Sequence, residues 1–234
     1  MGRPKSGKTS IAAATPGTLL IAVDKGYETV AGIPFVVYVS SFETFLAVLQ
    51  EALTRPDISR IVIDTFSRLV HHIDRHVCAK LGIENLGEVD MFAKDYKMEQ
   101  TAVIRILEIL NNSGRQVVLI VHTKEKTITR KGIAKTQISV DLSGSVGRIV
   151  SGEVDATLYY DVNDDPITLK PIHEMCFAGK DELEIGGRYF PGVALPERIV
   201  IPPYAEKTKK AKDAKDKRKQ SIFQPRPREV PQGS

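Results

Sequence analysis

The chain has no tryptophan, only two cysteines, and few aromatic residues of any kind, 6% in total. Cys78 and Cys176 stand alone, with no C-x-x-C spacing. That excludes a disulfide-stapled scaffold and a thiolate zinc ribbon, and it predicts two buried structural thiols in a reducing cytoplasm. No apolar run reaches the roughly 18 residues that a membrane-spanning helix needs. The first residues also lack the charged-then-apolar layout of a secretory signal. Acidic and basic groups nearly balance, at +4 net, but they are not spread evenly. Ten Lys or Arg and four Asp or Glu fall from Glu206 onward, which leaves 23 basic and 25 acidic groups before it. The basic excess therefore belongs to "EKTKKAKDAKDKRKQ" and the Pro-rich end. That composition predicts a solvated, disordered tail over 205–234, or alternatively an arm that releases counterions from nucleic acid.

What is present is a strand–helix alternation. "GTLLIAV" (17–23), "FVVYVS" (35–40), "RIVIDT" (60–65), "QVVLIVH" (116–122) and "DATLYYDV" (155–162) are short apolar runs bounded by turn signals. Amphipathic stretches lie between them, over 42–53 and over 90–112. This order predicts an α/β fold with a mostly parallel central sheet flanked by helices, in one domain spanning 1–204.

The opening "MGRPKSGKTS" satisfies G-x-x-x-x-G-K-[ST], the phosphate loop of nucleoside-triphosphatases. Gly2 and Gly7 permit close backbone approach, while Lys5, Ser6, Gly7, Lys8, Thr9 and Ser10 form the cradle. Lys8 would face the β- and γ-phosphates, and the Thr9 hydroxyl would ligate Mg2+. Such a loop normally follows a buried strand, yet only Met1 precedes Gly2. The expectation is that the first strand of the sheet is absent from this chain, and that an apolar extension of about six to ten residues would supply it. Two further groups end strands at the mouth of an open parallel sheet, where ligands bind. Asp64 could hold the water shell of the metal, or cap the following helix. His122 would sense the γ-phosphate. A GTPase reading fails, because Thr123-Lys124-Glu125 is followed by Lys126 rather than Asp, and "DTFS" lacks D-x-x-G. His71, His72 and His76 have helical spacing without a completing ligand, which points to a wet helix face.

The polar segment from Lys124 to about Ser145 is long for a connection. Lys124, Lys126, Arg130, Lys131 and Lys135 alternate there with Thr, Gly and Ile. This pattern predicts a mobile basic loop able to grip a phosphodiester backbone, with a solvated hairpin as the alternative.

The phosphate loop, "IVIDT", "VVLIVH", the basic segment and "LSGSVGRIVSGEVDATLYY", in that order, resemble the RecA-like ATPase core. The resemblance is strongest to phage Sak-type single-strand-annealing proteins and their AAA-type relatives, which carry G-P-P-K-S-G-K-T and a strand ending in His. It implies an ATP- and Mg2+-dependent ATPase that binds single-stranded DNA in phage recombination, in the cytoplasm of a bacterial host. It further implies assembly into rings or filaments and a phage single-strand-binding protein as a further partner. His122 falls where RecA has its sensing Gln, and 124–141 falls on the DNA-binding loop. The family's catalytic Glu corresponds to Asp24 in "IAVDKG", one methylene shorter, with Glu28 as a fallback, so hydrolysis is expected to be slow. Lys180 or Arg188 would be the finger reaching a neighbour's ATP. A non-hydrolysing, nucleotide-gated DNA-binding or scaffold protein is the alternative.

Overall fold

The computed structural model describes residues 1–25, 33, 35–88, 93–130, 132–177, 183–188 and 196–201. Its centre is a four-stranded, wholly parallel sheet. The strands are β1 (Thr18–Ala22), β2 (Phe35–Tyr38), β3 (Arg60–Asp64) and β4 (Gln116–Ile120), in spatial order β2-β1-β3-β4. Ala22 lies beside Asp64, and Asp64 beside Ile120, so three strand ends come level on one side of the sheet.

Side chains alternate across that sheet, as a two-residue period requires. Leu19, Ile21, Ile61 and Ile63 face a large core. It is built with the helices α2 (Phe42–Thr54), α3 (Phe66–Leu81), α4 (Lys94–Asn111) and α5 (Gly144–Glu153). Leu20, Val62 and Ile120 face the other way, onto Ala12 of the short helix α1 (Lys8–Ala13). Helices therefore cover both faces. Phe45 and Phe66 are fully buried in the large core, and each such side chain contributes about 1.5–3 kcal/mol of burial energy.

The helices begin where local chemistry allows. Ser41 caps α2, its side-chain oxygen accepting from the Thr44 amide at 3.1 Å. Thr65 caps α3 in the same way, accepting from Arg68 at 3.4 Å. Gly82 ends α3 at φ 67°, a left-handed state that glycine tolerates. His76 of α3 pairs with Glu43 and meets Phe42 edge-on at 5.1 Å, so it fastens α3 to α2.

Two sequence expectations need correction. The basic segment is not a loop but an antiparallel hairpin of β5 (Thr123–Arg130) and β6 (Ile133–Val140), paired along eight residues each. Its polarity reflects a two-stranded ribbon that meets the core only near its base, where Ser139 is buried and Val140 packs on the large core. The expected fifth strand of the central sheet also does not join it. It divides at Leu158 into β7 (Ala156–Thr157) and β8 (Tyr159–Asp164). β8 pairs antiparallel with β9 (Pro171–Cys176), which pairs with β11 (Arg198–Ile201), while β7 pairs with β10 (Gly186–Gly187). The physical reason is that Met1 stands between it and β4. The Met1 amine donates to the Leu158 carbonyl at 2.6 Å, and the Tyr160 amide donates to the Met1 carbonyl at 2.9 Å. On the other flank the Gly2 amide donates to Val121 at 3.3 Å. Lys131, Lys180, Glu28 and the tail 205–234 lie outside the described residues.

Candidate phosphate-binding site

The first ten residues wrap the level strand ends. Gly7 precedes α1 at φ 94° and Lys5 sits at φ 61°. Left-handed residues of this kind curl a loop into an anion-binding concavity. Gly2 is held against the Tyr160 backbone so closely that a Cβ there would stand 2.2 Å from the Tyr160 carbonyl oxygen. Ser6 is buried, and its hydroxyl donates to the Arg3 carbonyl at 2.9 Å. The first amides of α1, at Lys8, Thr9 and Ser10, have no intrahelical acceptor by geometry and point out of the helix start.

Two side chains link this loop to the sheet. Thr9 Oγ1 donates to Asp64 Oδ2 at 2.6 Å, across 55 residues of sequence. Lys8 Nζ donates to the Gly2 carbonyl at 2.9 Å and to that of Arg3, so its ammonium group is folded onto the loop itself. Burial lowers the Lys8 pKa, and the charge of Asp64 opposes that fall. Burial likewise raises the Asp64 carboxyl, against the Thr9 hydrogen bond and the charges of Lys8 and His122. An ammonium and a carboxylate that both lose hydration here are matched to a ligand carrying phosphates and a divalent cation.

Asp24 and His122 stand at the same end of the sheet, each two residues past its strand. Thr65 Oγ1 donates to Asp24 Oδ2 at 3.2 Å, and Arg68 Nε lies 3.5 Å from Asp24 Oδ1. The Asp64–Thr65 peptide between them is cis. His122 Nδ1 is buried, with no hydrogen-bond partner among the described residues. The carboxylate pair, the histidine and the loop lysine thus stand close enough for the other three to bear on the charge of Asp64. These residues fit a Mg-bound nucleoside triphosphate: loop amides and Lys8 for the phosphates, Thr9 and Asp64 for the metal, His122 for a terminal group. The metal would supply charge neutralisation and a fixed orientation for the phosphates.

The basic residues start directly beyond His122. Lys124, Lys126 and Lys135 share one face of the hairpin, since Ile128 pairs with Lys135 and same-face residues recur every second position. Arg130 ends β5. Lys126 pairs with Glu184 at 2.9 Å, and Lys124 donates to the Leu142 carbonyl. Arg188 lies apart from the phosphate loop: its amide donates to Asp155 and its guanidinium to Gly152 at the end of α5.

Sequence reasoning passed over four contributors. Tyr160 backs the loop, with its carbonyl against Gly2 and its hydroxyl 3.6 Å from where a Gly7 Cβ would stand. His173 holds that hydroxyl through Nδ1 at 2.6 Å. Thr65 and Arg68 orient Asp24. The Tyr160 and His173 contacts join residues more than 150 positions from the loop, and no local pattern announces them. The sequence offered Asp64 as a possible cap of α3, but the cap is Thr65, which also holds Asp24.

The sequence profile of the AAA domain family AAA_24 matches residues 1–183. No curated protein matches the chain. Among solved structures, it is similar to a KaiC-like protein from the hyperthermophilic archaeon Pyrococcus horikoshii OT3. The two are 15% identical at a TM-score of 0.42, over 86% of this chain and 87% of that one. No helix among the described residues is long and apolar enough to cross a membrane.

Proposed function

Because the chain belongs to the AAA_24 family of AAA domains, we propose that it is a RecA-like, Mg-dependent ATP-binding protein whose nucleotide state controls its grip on single-stranded DNA, in phage recombination by annealing. The observation that carries the nucleotide part is the Thr9–Asp64 bond. It joins the phosphate-loop hydroxyl to a strand-end carboxylate at the one place where both can reach a metal. The DNA part is supported by connectivity. The basic hairpin begins one residue after His122, so a shift at the terminal phosphate reaches it through a single strand end. The Lys126–Glu184 pair is surface-exposed on both sides and contributes at most about 1 kcal/mol, so a DNA phosphate can displace it. In this reading the chain acts as a ring or filament, with Arg188 or Lys180 serving a neighbour's nucleotide and a phage single-strand-binding protein as a further partner.

Hydrolysis rests on Asp24, and a specific observation favours the non-hydrolysing alternative. The Asp24 carboxylate is already held by Thr65 and Arg68, which leaves it less free to orient a water. Steady-state ATP turnover with and without single-stranded DNA separates the two readings. Lys8→Ala should lower ATP affinity at least about tenfold, since a charge-assisted contact contributes about 1.5–3 kcal/mol. Asp64→Asn should flatten the Mg2+ dependence. Neutralising Lys124, Lys126 and Lys135 should abolish the ATP dependence of oligonucleotide anisotropy, whereas deleting 206–234 should only lower affinity and its salt slope. If the Lys8 and Asp64 variants bind Mg-ATP like the parent, the phosphate-loop assignment is wrong.

A further inference from the structure

A cavity of about 480 Å³ lies against one face of the sheet β11-β9-β8, a size typical of small-molecule sites. Tyr159, Asp161 and Asn163 reach it from β8, Glu174 from β9 and Arg198 from β11, as alternation along paired strands requires. Two elements outside that sheet also line it: Arg3 of the phosphate loop, and Ile138 at the foot of the basic hairpin. Ile138 pairs with Glu125, which stands between Lys124 and Lys126. The floor is electrostatically costly. Asp161 and Glu174 face each other directly across the β8–β9 ladder, at 9% and 7% exposure, and opposed like charges destabilise a sheet. Glu174 is compensated, because the Arg198 guanidinium and the Asn163 amide both donate to its Oε2 at 2.7 Å. Among the described residues Asp161 has no such ion pair. The Tyr159 hydroxyl links it to Arg3: burial and then Asp161 push that hydroxyl up to about 12, and Arg3 opposes the rise. A divalent cation does not explain the two carboxylates, since no three His, Cys, Asp or Glu among the described residues converge to hold one.

The cavity therefore offers a carboxylate acceptor and a guanidinium donor, joined by one tyrosine, beside the apolar side chains of Ile138, Ile172 and Leu183. An unstacked base held between apolar walls and read along its polar edge has these needs. Guanine matches the chemistry. Its O6 and N7 accept, as an arginine requires, while N1–H and the 2-amino group are adjacent donors for a single carboxylate. Adenine and cytosine set a ring acceptor beside the amino group, and thymine has one donor between two carbonyls. We propose that this cavity takes a guanine base, with Asp161 accepting from N1 and the 2-amino group and Arg3 donating to O6. The base belongs to a strand lying on the basic hairpin, because the hairpin's foot lines the cavity. That source rests on the proposed DNA binding; a free guanine nucleotide would bring the same base edge.

Oligonucleotide anisotropy on the full chain tests it. A thymine strand carrying spaced guanines is compared with the same strand carrying adenines, or hypoxanthines, which lack the 2-amino group. The guanine strand should bind at least about fivefold tighter than the adenine strand, the discrimination of one bidentate base contact, with hypoxanthine between them. Asp161→Asn should bind the guanine and adenine strands alike and should bind ATP like the parent. Equal parental affinity for guanine and adenine strands, or a preference that survives in folded Asp161→Asn, overturns the site. If that variant does not fold, hypoxanthine decides: weaker binding than guanine upholds the carboxylate contact, and equal binding overturns it. If the parent binds no strand, the DNA reading fails, and calorimetry with the monophosphates of deoxyguanosine and deoxyadenosine decides the cavity. Binding of the guanine nucleotide alone upholds a guanine site; binding of both or neither overturns it. GTP bound in preference to ATP, with that preference lost in Asp161→Asn, would put the base of the phosphate-loop nucleotide in the cavity and overturn its assignment to a strand.

Discussion

β1 and β4 are nearly interchangeable as text. One reads TLLIA and the other QVVLI, each is five residues long, and both lie parallel to β3. Their surroundings differ sharply. β1 is buried at every position, whereas β4 passes from an exposed Gln116 through three half-buried residues to a buried Ile120. β1 has a strand on each edge, and β4 has one strand and a two-residue fragment, Met1–Gly2. Apolar sequence fits a strand for burial; its neighbours decide how much burial it receives. The closed side of the sheet, β2-β1-β3 under α2 to α4, therefore carries most of the stability. The open side, where β4 meets Met1–Gly2 and Leu158–Tyr160, carries the phosphate loop.

The largest expected effect measures that contrast directly. Leu20 of β1 and Val118 of β4 belong to the same layer, beneath α1. Leu20→Ala should cost about 3 kcal/mol, within the range for fully buried leucines. Val118→Ala should cost only about 1 kcal/mol, because two methyl groups leave a half-buried site. Urea denaturation would read both. Equal losses would show that the open edge is as tightly supported as the closed one.

The second effect tests how the open side holds the loop. A Cβ at Gly2 would meet the Tyr160 carbonyl oxygen at 2.2 Å, whereas one at Gly144 meets nothing within 4 Å. Gly2→Ala must push the loop off β8 and should destabilise by about 1–3 kcal/mol, the range for overpacking. Gly144→Ala, at the start of α5, should be neutral or gain a few tenths of a kcal/mol from helix propensity. A Gly2→Ala protein that melts like the parent would mean that the loop is not braced on Tyr160.

Much of the central sheet was legible beforehand, for reasons the same comparison supplies. Residues 18–22, 35–38, 60–64 and 116–120 are contiguous apolar runs, and a buried parallel strand needs little else. The phosphate loop was legible because its spacing is dictated by backbone conformation, at Gly7 above all. Where Asp24, Asp64 and His122 meet followed from three strand ends at one level. What lies beyond β4 on the open side was not legible. "DATLYYDV" reads as another core strand, and nothing local reveals that Met1 is interposed and that its partners run antiparallel. The polarity of the basic segment favoured a loop and left the hairpin as the alternative, although two eight-residue stretches flank Gly132, which adopts φ 78°. That symmetry about a turn glycine was the signal to weigh.

The smallest effect lies within the closed side and gives it a pH dependence of its own. Glu99 of α4 is 2% exposed, and its Oε2 has no hydrogen-bond partner among the described residues. Asp74 of α3 shares a hydrogen bond with it, and Asp95 adds negative charge nearby. Burial first, and then Asp74, push the Glu99 carboxyl up from 4.5 to about 7. The folded chain therefore keeps a proton that the unfolded chain has already lost between those two values. The contribution of Glu99 then falls as pH rises from about 4.5 to about 7 and stays lower above that range, while the Met1 amine, lowered by burial to about 5, acts in the opposite direction. Asp74 is raised by burial too, so it acts in the same direction as Glu99, while His71, 3.6 Å from Asp74, partly offsets it when protonated. Glu99→Gln keeps the shape and a hydrogen-bond donor but never ionises. It should therefore match the parent at pH 5 and exceed it at pH 8 by about 1–2 kcal/mol, since a tenfold change in proton affinity corresponds to about 1.4 kcal/mol. Thermal melts of both proteins at the two pH values would measure this. A variant whose melting temperature changes from pH 5 to pH 8 by as much as the parent's does would show that the buried acid pair is not the group that titrates.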